Sequence, residues 1–440
     1  MNAETLPAIT PCALYARAPW WKTTLVPFLL LLICPPLVPA IWVIVTYFDG
    51  SIARASSPSG VRFILDNLPM PSLGAVSVIV VFAVFELALL FLLPGAQMLG
   101  PTTPAGNRPT YRLNGVAAYV ITHATFALGA YLGWFPGSIV YDRFGAILAT
   151  LCLFALVFCL VLYFKGRFRP TSADRTVTGN FIFDYFQGTE LHPRLFGVDL
   201  KQLCNCRLSM MGWSVILVSF ACAQYSRIGH VSVGMIIAVG LQCAYLLKFF
   251  IWEGGYFASL DITHDRFGWY ICWGVLCWVP CLYTLSTFFL VSHPAEMTVL
   301  QSIGLAGFGL AALGINYLAD RQRQHVRRTN GQTKVWGRAP KLIEARYTTS
   351  DGKSQTNLLL ASGYWGIARH FHYVPELLLA LAWTLPVGFT RVLPYFYFTF
   401  LFVLLVDRAG RDDRRCEQKY GAAWDEYRQA VPYKILPGVY

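Results

Sequence analysis

The sequence predicts an all-α polytopic membrane protein with about ten transmembrane helices. Hydrophobic residues make up 56% of the chain and charged residues only 13%, whereas soluble domains carry about 25% charged residues. Apolar segments of about 20 residues, long enough to cross roughly 30 Å of hydrocarbon as helices, recur along most of the chain. The basic residues gather in alternate loops, which is typical of the cytoplasmic loops of membrane proteins.

The apolar segments give the helices in order. Eight long segments lie near 25–48, 74–93, 113–134, 144–164, 208–226, 231–251, 269–291 and 297–319. Two shorter segments, 374–389 and 392–406, predict a helical hairpin. With both termini cytoplasmic, most Lys and Arg residues fall on the cytoplasmic side. The formal net charge of +12 is therefore spread over membrane-facing loops, and it does not indicate a module that binds nucleic acid.

We expect three divisions of the chain: a cytoplasmic N-terminus at 1–24, an eight-span membrane bundle at 25–319, and a C-terminal region at 320–440. The N-terminus shows no cleavable signal peptide, because residues 1–23 lack a separate apolar core followed by a small-residue cleavage site. The 12 cysteines include no paired CxxC arrangement, which argues against a zinc site.

Some polar motifs have simple structural interpretations. Gly307, Gly309 and Ala312 match a dinucleotide fingerprint, but they lie inside an apolar span, where glycines serve close helix packing. For Glu86 and His123 we favour an interhelical hydrogen bond. The 252–268 loop carries Glu253, Asp261, His264 and Asp265. We interpret these charges as ordering the loop, and we predict no metal site.

The C-terminal region carries the densest charge beside apolar segments. If 407–428 forms one helix, Arg408, Asp412, Lys419 and Tyr427 share a face. Cations, a carboxylate and a phenol on one face suit a phosphate-rich ligand at the membrane surface. A solvated basic helix above the bundle is the alternative interpretation.

The stretch at 320–356 is the longest soluble one. Its Asp351-Gly352 turn predicts a small β-hairpin. Arg323 and Arg327 lie one helical turn apart and can clamp a phosphate.

Long motifs then indicate a family. They are LLPGAQMLGPTTPAGNRPTYRLNG at 92–115, GNFIFDYFQGTELHPR at 179–194, the segment 245–274, DRQRQHVRRTNG at 320–331, and all of 362–440. The chain resembles the Δ14/Δ7/Δ24(28) sterol reductases, membrane enzymes that saturate a sterol double bond with NADPH. Within that family it is most similar to the plant-type Δ7 branch, since His372 and Pro375-Glu376 depart from the Δ14 branch.

The resemblance implies an NADPH-binding C-terminal region that faces the cytoplasm. Arg323 and Arg327 would meet the adenosine phosphates, including the 2′-phosphate, and Arg323 stands where many members have lysine. Leu360 and Trp365 would border the cofactor rings, and His372 and Tyr373 would line the pocket. The other residues that the resemblance implies in NADPH binding are Arg408, Asp412, Cys416, Glu417, Gln418, Lys419, Tyr420 and Tyr427.

The expected reaction is reduction of the C7–C8 double bond of a 5,7-diene sterol by proton and hydride transfer. Such chemistry needs a retained acid and a hydride donor, and it needs no metal. Tyr245 and Asp412 are the candidates for the proton relay. The implied partners are a sterol substrate within the membrane and the lipid bilayer. The expected membrane is the endoplasmic reticulum in a eukaryote and the inner membrane in a bacterium.

Other functions stay open from the sequence. A Δ14- or Δ24-type reductase belongs to the same family. The C-terminal pattern is also similar to isoprenylcysteine-type membrane methyltransferases, although those chains are usually much shorter. A non-catalytic sterol-binding protein would be expected to have lost several of the cofactor-facing charges that this chain keeps.

Overall fold

The computed structural model describes residues 19–348 and 354–439. Apolar helices dominate these residues. In chain order they are α1 (Trp21–Phe48), α2 (Leu73–Leu92), α3 (Gly115–Tyr131), α4 (Phe144–Phe168), α5 (Gln202–Ile228), α6 (Val233–Ile251), α7 (Trp269–Ser292), α8 (Val299–Arg328), α9 (Tyr373–Val387) and α10 (Leu393–Tyr420). Eight of them are long and apolar enough to cross a membrane, and α3 and α9 are shorter. The predicted all-α membrane architecture is confirmed, with a helix at every predicted segment.

The ends of two helices differ from the apolar segments that predicted them. Helix α8 continues beyond residue 319 to Arg328, and α10 continues beyond 406 to Tyr420. Apolar content marks only the part of a helix that lies in hydrocarbon. Outside it, pairs such as Arg411 and Asp407, whose Nε and Oδ2 atoms are 2.8 Å apart, support further helical turns.

Short elements connect the long helices. A final helix, α11, spans Ala422–Ala430. The other short helices are Ile52–Ala55, Pro58–Asp66, Ile139–Asp142, Phe181–Gln187, Glu253–Tyr256, Leu260–Thr263 and Tyr364–Ile367. Three antiparallel hairpins pair β1 (Ala96–Leu99) with β2 (Thr110–Leu113), β3 (Arg194–Leu195) with β4 (Val198–Asp199), and β5 (Leu342–Thr348) with β6 (Ser354–Leu360).

The described residues form two compact units. The first contains the chain through Val231, Leu246–His293 and Arg391–Leu393, and the second contains Ser232–Tyr245, Pro294–Thr390 and the chain from Pro394 onward. The predicted functional division at residue 320 stays a prediction. The predicted 1–24 terminus lies mostly outside the described residues, as does the Asp351-Gly352 turn, although strands β5 and β6 on either side of that turn do pair.

Several buried polar side chains of the first unit have partners within the protein. Thr122 of α3 donates a hydrogen bond of 2.5 Å to Glu86 Oε1 of α2, which confirms the interhelical bond predicted for Glu86. His123 instead uses Nδ1 for a 2.8 Å contact with the Tyr119 carbonyl in its own helix. Arg207 of α5, fully buried, pairs with Glu253 at 2.9 Å.

The second unit packs α8 closely against its neighbours. A Cβ added to Gly309 would lie 2.5 Å from Leu241 of α6, so this glycine serves close helix packing. The apparent dinucleotide fingerprint around it lies inside a long apolar helix, and the described residues place no strand directly before that helix, although the fingerprint requires one. Asn316 of α8 donates a 2.9 Å hydrogen bond to the His372 carbonyl at the start of α9.

The predicted single helix at 407–428 is wrong. Helix α10 ends at Tyr420 and α11 begins at Ala422, because Gly421 adopts φ +52°, a conformation that glycine adopts without a steric penalty. Arg408, Asp412 and Lys419 still lie on α10. Tyr427 belongs to the next helix and does not share their face through helical spacing.

Candidate functional site

Every predicted site residue lies in the second unit. Arg323 and Arg327 are on the last turns of α8, and Tyr245 is on α6. Leu360 ends β6, and Trp365 is in the short helix that follows. Tyr373 begins α9, and His372 immediately precedes it. Helix α10 carries Arg408, Asp412, Cys416, Glu417, Gln418, Lys419 and Tyr420, and α11 carries Tyr427. Tertiary packing thus gathers elements that are far apart in sequence into one compact unit.

Two cations of this set rest on aromatic faces. The Arg323 guanidinium lies 4.0 Å from the centroid of the Trp365 ring. The Lys419 ammonium lies 3.9 Å from the centroid of Tyr347. Cation–π contact holds a side chain in place without neutralising its charge. Both cations therefore keep positive charge available to an anion.

Acidic groups near these cations are few. The recorded ion pair of Arg323 is to Asp320 at 3.8 Å, one turn away on the same helix. For Arg327 and Lys419 the structure records no ion pair within residues 19–348 and 354–439. The groups that act electrostatically on Arg327 are Arg323, Tyr420, Tyr427 and Cys416. This basic, aromatic surface fits a phosphate-bearing ligand that also carries planar rings.

Asp412 lies at the edge of the same surface. Its Oδ2 atom is 3.9 Å from His370 Nε2, and its Oδ1 atom is 3.6 Å from Arg415. Burial lowers the pKa of His370 to about 4, although Asp412 acts in the opposite direction, so the imidazole is neutral near pH 7. Asp412 remains one-quarter exposed, which leaves the carboxylate accessible to a ligand.

The next residue, Asp413, has a different role that the sequence did not reveal. It is buried, with Oδ1 3.6 Å from Arg369 and Oδ2 3.3 Å from Arg428 and 3.6 Å from Lys434. Trp424 also donates a 3.1 Å hydrogen bond to Oδ1. Asp413 therefore joins α10 to α11 and to the C-terminal segment. The adjacent acids looked equivalent in sequence, but successive helical residues point about 100° apart.

Glu376 is a second residue that the sequence analysis did not select as a site residue. The Tyr245 hydroxyl donates a 3.2 Å hydrogen bond to Glu376 Oε1 on α9. Tyr373, one turn before Glu376, stacks on His370 with ring centroids 5.2 Å apart. Both Glu376 and Asp412 act electrostatically on Tyr373. The family departure at Pro375-Glu376 was the available signal for this position.

Tyr427 connects α11 to the other elements despite the break in the helix. Its hydroxyl donates to the carbonyls of Leu360 and Trp365 at 3.1 and 3.5 Å. Burial raises the pKa of Tyr427 to about 12, so the phenol stays protonated and remains a donor. Trp365 in turn donates a 2.8 Å hydrogen bond from Nε1 to the Ala319 carbonyl of α8. These bonds fix the aromatic platform beneath Arg323.

The remaining predicted residues divide by their contacts. Tyr420 accepts a 2.8 Å hydrogen bond from Asn357, and the Cys416 thiol lies 3.9 Å from Asp412 Oδ2. Glu417 is exposed and receives two bonds from Arg428, at 3.0 and 2.9 Å, so it joins α10 to α11. Gln418 is also exposed, Arg408 is half-buried on α10, and the His372 ring lies 4.9 Å from that of Trp365.

No group of three or more His, Cys, Asp and Glu side chains that could hold a metal ion occurs among the described residues. The 252–268 loop is bonded to other parts of the chain at two places. Lys201, which precedes α5, donates to the loop carbonyls of Asp261, Ile262 and Asp265. Glu253 accepts a 3.0 Å hydrogen bond from the Gly115 amide. The loop is thus tied to its surroundings by hydrogen bonds.

Comparison with known proteins identifies relatives over nearly the whole chain. Residues 56–440 match the model of the ergosterol biosynthesis ERG4/ERG24 family. A 7-dehydrocholesterol reductase of Arabidopsis thaliana is 46% identical over 415 residues, covering 93% of this chain and 96% of that protein. A 7-dehydrocholesterol reductase of Xenopus laevis is 38% identical, covering 86% of this chain and 83% of that protein. A Delta(14)-sterol reductase of Methylotuvimicrobium alcaliphilum is 36% identical, covering 93% and 94%.

Proposed function

Because the chain belongs to the ergosterol biosynthesis ERG4/ERG24 family, we propose that it is an integral membrane sterol reductase that saturates the C7–C8 double bond of a 5,7-diene sterol with NADPH. The observation that carries the bond assignment is the 46% identity to a 7-dehydrocholesterol reductase over 93% of the chain. The methyltransferase and non-catalytic alternatives have no comparable support.

The second unit supports NADPH as the reductant. Arg323 and Lys419 present positive charge from aromatic faces, and Arg327 lies one turn from Arg323. These donors suit the phosphates of a dinucleotide, and the partly exposed Tyr420 offers a flat surface to one of its rings. Trp365 is buried and supports Arg323 from beneath. When bound, NADPH supplies the hydride, and the residues of this chain supply orientation and a dry setting.

The proton would come from side chains of this unit. Addition of a proton to C8 of a 5,7-diene leaves an allylic cation with positive charge at C7, which then accepts hydride. Tyr245 and Asp412 are proposed to deliver that proton, and Glu376, as the acceptor of the Tyr245 hydroxyl, would orient the phenol. His370 is neutral near pH 7 and lies 3.9 Å from Asp412, so it packs beside the carboxyl without neutralising it.

The division of labour along the chain remains a proposal. Residues 320–440 would form the NADPH-binding catalytic region, facing the cytoplasm, and 25–319 would provide the sterol cavity within the bilayer. The enzyme would lie in a membrane because its sterol substrate dissolves in the bilayer. That membrane would be the endoplasmic reticulum in a eukaryote or the inner membrane in a bacterium.

The test is a spectroscopic assay. Membranes that contain the protein are given 7-dehydrocholesterol and NADPH, and the ultraviolet absorption of the conjugated diene should disappear as the C7–C8 bond is reduced. Membranes without the protein, and reactions without NADPH, provide the controls. The 36% identity to a Delta(14)-sterol reductase makes a Δ8,14-diene the competing substrate. If that diene is consumed while the 5,7-diene survives, the Δ7 assignment is wrong.

A further inference from the structure

Helix α8 carries a second basic pair on the face opposite Arg323 and Arg327. Arg321 and His325 are four residues apart and therefore lie one above the other on the helix. They are offset by two residues, about 200°, from Arg323 and Arg327. The contacts assigned to the proposed NADPH surface do not involve this opposite face.

This second face lines a cleft of about 390 Å³. Its walls include Arg321 and His325 from α8, Lys334 and Trp336 from the following loop, and Tyr364. No carboxylate is among the lining residues. Within residues 19–348 and 354–439, Arg321 and Lys334 have no recorded ion pair. Uncompensated positive charge around a cleft favours an anionic occupant.

The loop beside the cleft contains a tight turn with strained backbone angles. Val335 and Arg338 exchange two backbone hydrogen bonds, of 2.8 and 3.1 Å, around Trp336 and Gly337. Both central residues have positive φ, +50° and +79°. Such a turn favours Asn-Gly, and a tryptophan at a positive φ is strained. This turn presents the Trp336 ring 5.1 Å from the ring of Tyr364, and the residue is 60% exposed.

The position along α8 indicates that the occupant is a lipid. Leu318, which also lines the cleft, is exposed and continues the apolar part of a membrane helix. A molecule in the cleft can therefore keep its apolar portion against that helix while its polar portion meets Arg321 and Lys334. Exposed tryptophan together with basic residues is typical of the membrane–water interface.

We propose that this cleft, defined by Arg321, His325, Lys334, Trp336 and Tyr364, binds the phosphate headgroup of an anionic phospholipid at the membrane surface. Arg321 and Lys334 donate charge-assisted hydrogen bonds to the phosphate, and Trp336 covers the headgroup from the interface. Clusters of basic residues beside membrane helices recognise anionic headgroups through the same forces.

The test measures lipid retention by the purified full-length protein. Protein in neutral detergent is titrated with phosphatidic acid or with phosphatidylcholine, and bound lipid is counted by native mass spectrometry. We expect phosphatidic acid to be retained in preference to phosphatidylcholine. Arg321→Ala with Lys334→Ala should weaken that retention at least tenfold, because two charge-assisted hydrogen bonds to the phosphate are lost.

The control variant removes equal charge outside the cleft. Arg338 and Lys341 lie on the same segment and do not line it, so Arg338→Ala with Lys341→Ala should retain phosphatidic acid. Trp336→Asn restores a favoured turn residue while deleting the ring. It should leave the thermal unfolding midpoint unchanged or higher and still weaken lipid retention, which shows loss of binding without loss of folding.

Two results would overturn the proposal. One is equal retention of phosphatidic acid by the wild type, the cleft variant and the control variant. The other is displacement of the lipid by millimolar inorganic phosphate, which would make the cleft a site for a soluble phosphate compound. If the cleft variant unfolds, Trp336→Asn alone decides, because unchanged retention by that folded variant also contradicts the proposal.

Discussion

The two units differ in how the cations singled out in each of them are paired. In the first, Arg207 pairs with Glu253 and donates a 2.6 Å bond to Asn114, while Lys201 is surrounded by carbonyl groups. In the second, Arg323 and Lys419 rest on aromatic rings, and Arg327 has no recorded ion pair in the described chain. These charges of the first unit are matched by the protein itself. In the second unit Asp413 is matched in the same way by Arg369 and Arg428. Arg323, Arg327 and Lys419 instead remain available to a ligand, which is the property expected of a binding site.

The largest effect is expected at Arg207, whose pairing with Glu253 is the example of matched charge in the first unit. Arg207→Ala leaves Glu253 buried without its cation, which should lower the free energy of unfolding by about 3–5 kcal/mol. The measurement is denaturant unfolding of the protein in detergent. Adding Glu253→Gln to Arg207→Ala should recover part of the loss, because the unpaired charge is then removed. A loss below about 1 kcal/mol for the single variant would mean that this pair is not holding the first unit together.

The next largest effect is expected at Asp412. If its carboxyl belongs to the proton relay, Asp412→Asn should keep NADPH affinity and lower kcat by about 10² or more, the usual range for losing general acid catalysis. Tyr245→Phe should act likewise, and the double variant should be little worse than either single one, since the residues act as one unit.

Asp413→Asn supplies the matched control for Asp412. It removes the negative charge shared by Arg369, Arg428 and Lys434, so it should lower the thermal unfolding midpoint while the folded fraction keeps its turnover. Near-normal kcat in Asp412→Asn with weakened NADPH binding would instead give Asp412 a role in orienting the cofactor.

Replacing Arg323 and Arg327 together with alanine tests whether these available charges of the second unit bind the cofactor. Both arginines keep part of their surface exposed to solvent, so we expect the lower end of the range for charge-assisted bonds, a rise in KM for NADPH of about tenfold or more. The KM for NADH, which lacks the 2′-phosphate, should rise much less. Steady-state kinetics with both cofactors measures this, and equal losses would remove the arginines from the 2′-phosphate.

The smallest effect for a single measured step, a change of one pH unit, is expected from His370. Since the pKa of His370 is near 4 in the folded protein and about 6.5 when unfolded, the unfolded chain binds the proton first as pH falls. Stability should therefore decrease between about pH 6.5 and 4, by up to about 1 kcal/mol per pH unit. Unfolding of the wild type and of His370→Gln across this window measures the contribution. The variant should show a shallower decrease, and identical slopes would contradict the prediction.

Much of the fold follows from local properties of the chain. Apolar length located the ten helices, and the long motifs pointed to the family that the comparisons then showed. The basic residues that face the proposed ligand were also found, because charges beside apolar segments stand out in sequence. The ends of the helices were harder to predict from the sequence. A single glycine at 421 ended α10, although charge spacing on both sides continued a helical pattern.

What the sequence determined by itself is the architecture, the family resemblance and the inventory of charged groups near the membrane surface. Only the tertiary structure decided how those groups are used. It separated Asp412 from its neighbour Asp413, and it placed Tyr245 against Glu376 across 131 residues of chain. It also placed Arg321 and His325 on a different surface from Arg323 and Arg327. The physical reason is that hydrophobic length and helical period are local, whereas the partner of a charge is chosen by packing between distant segments.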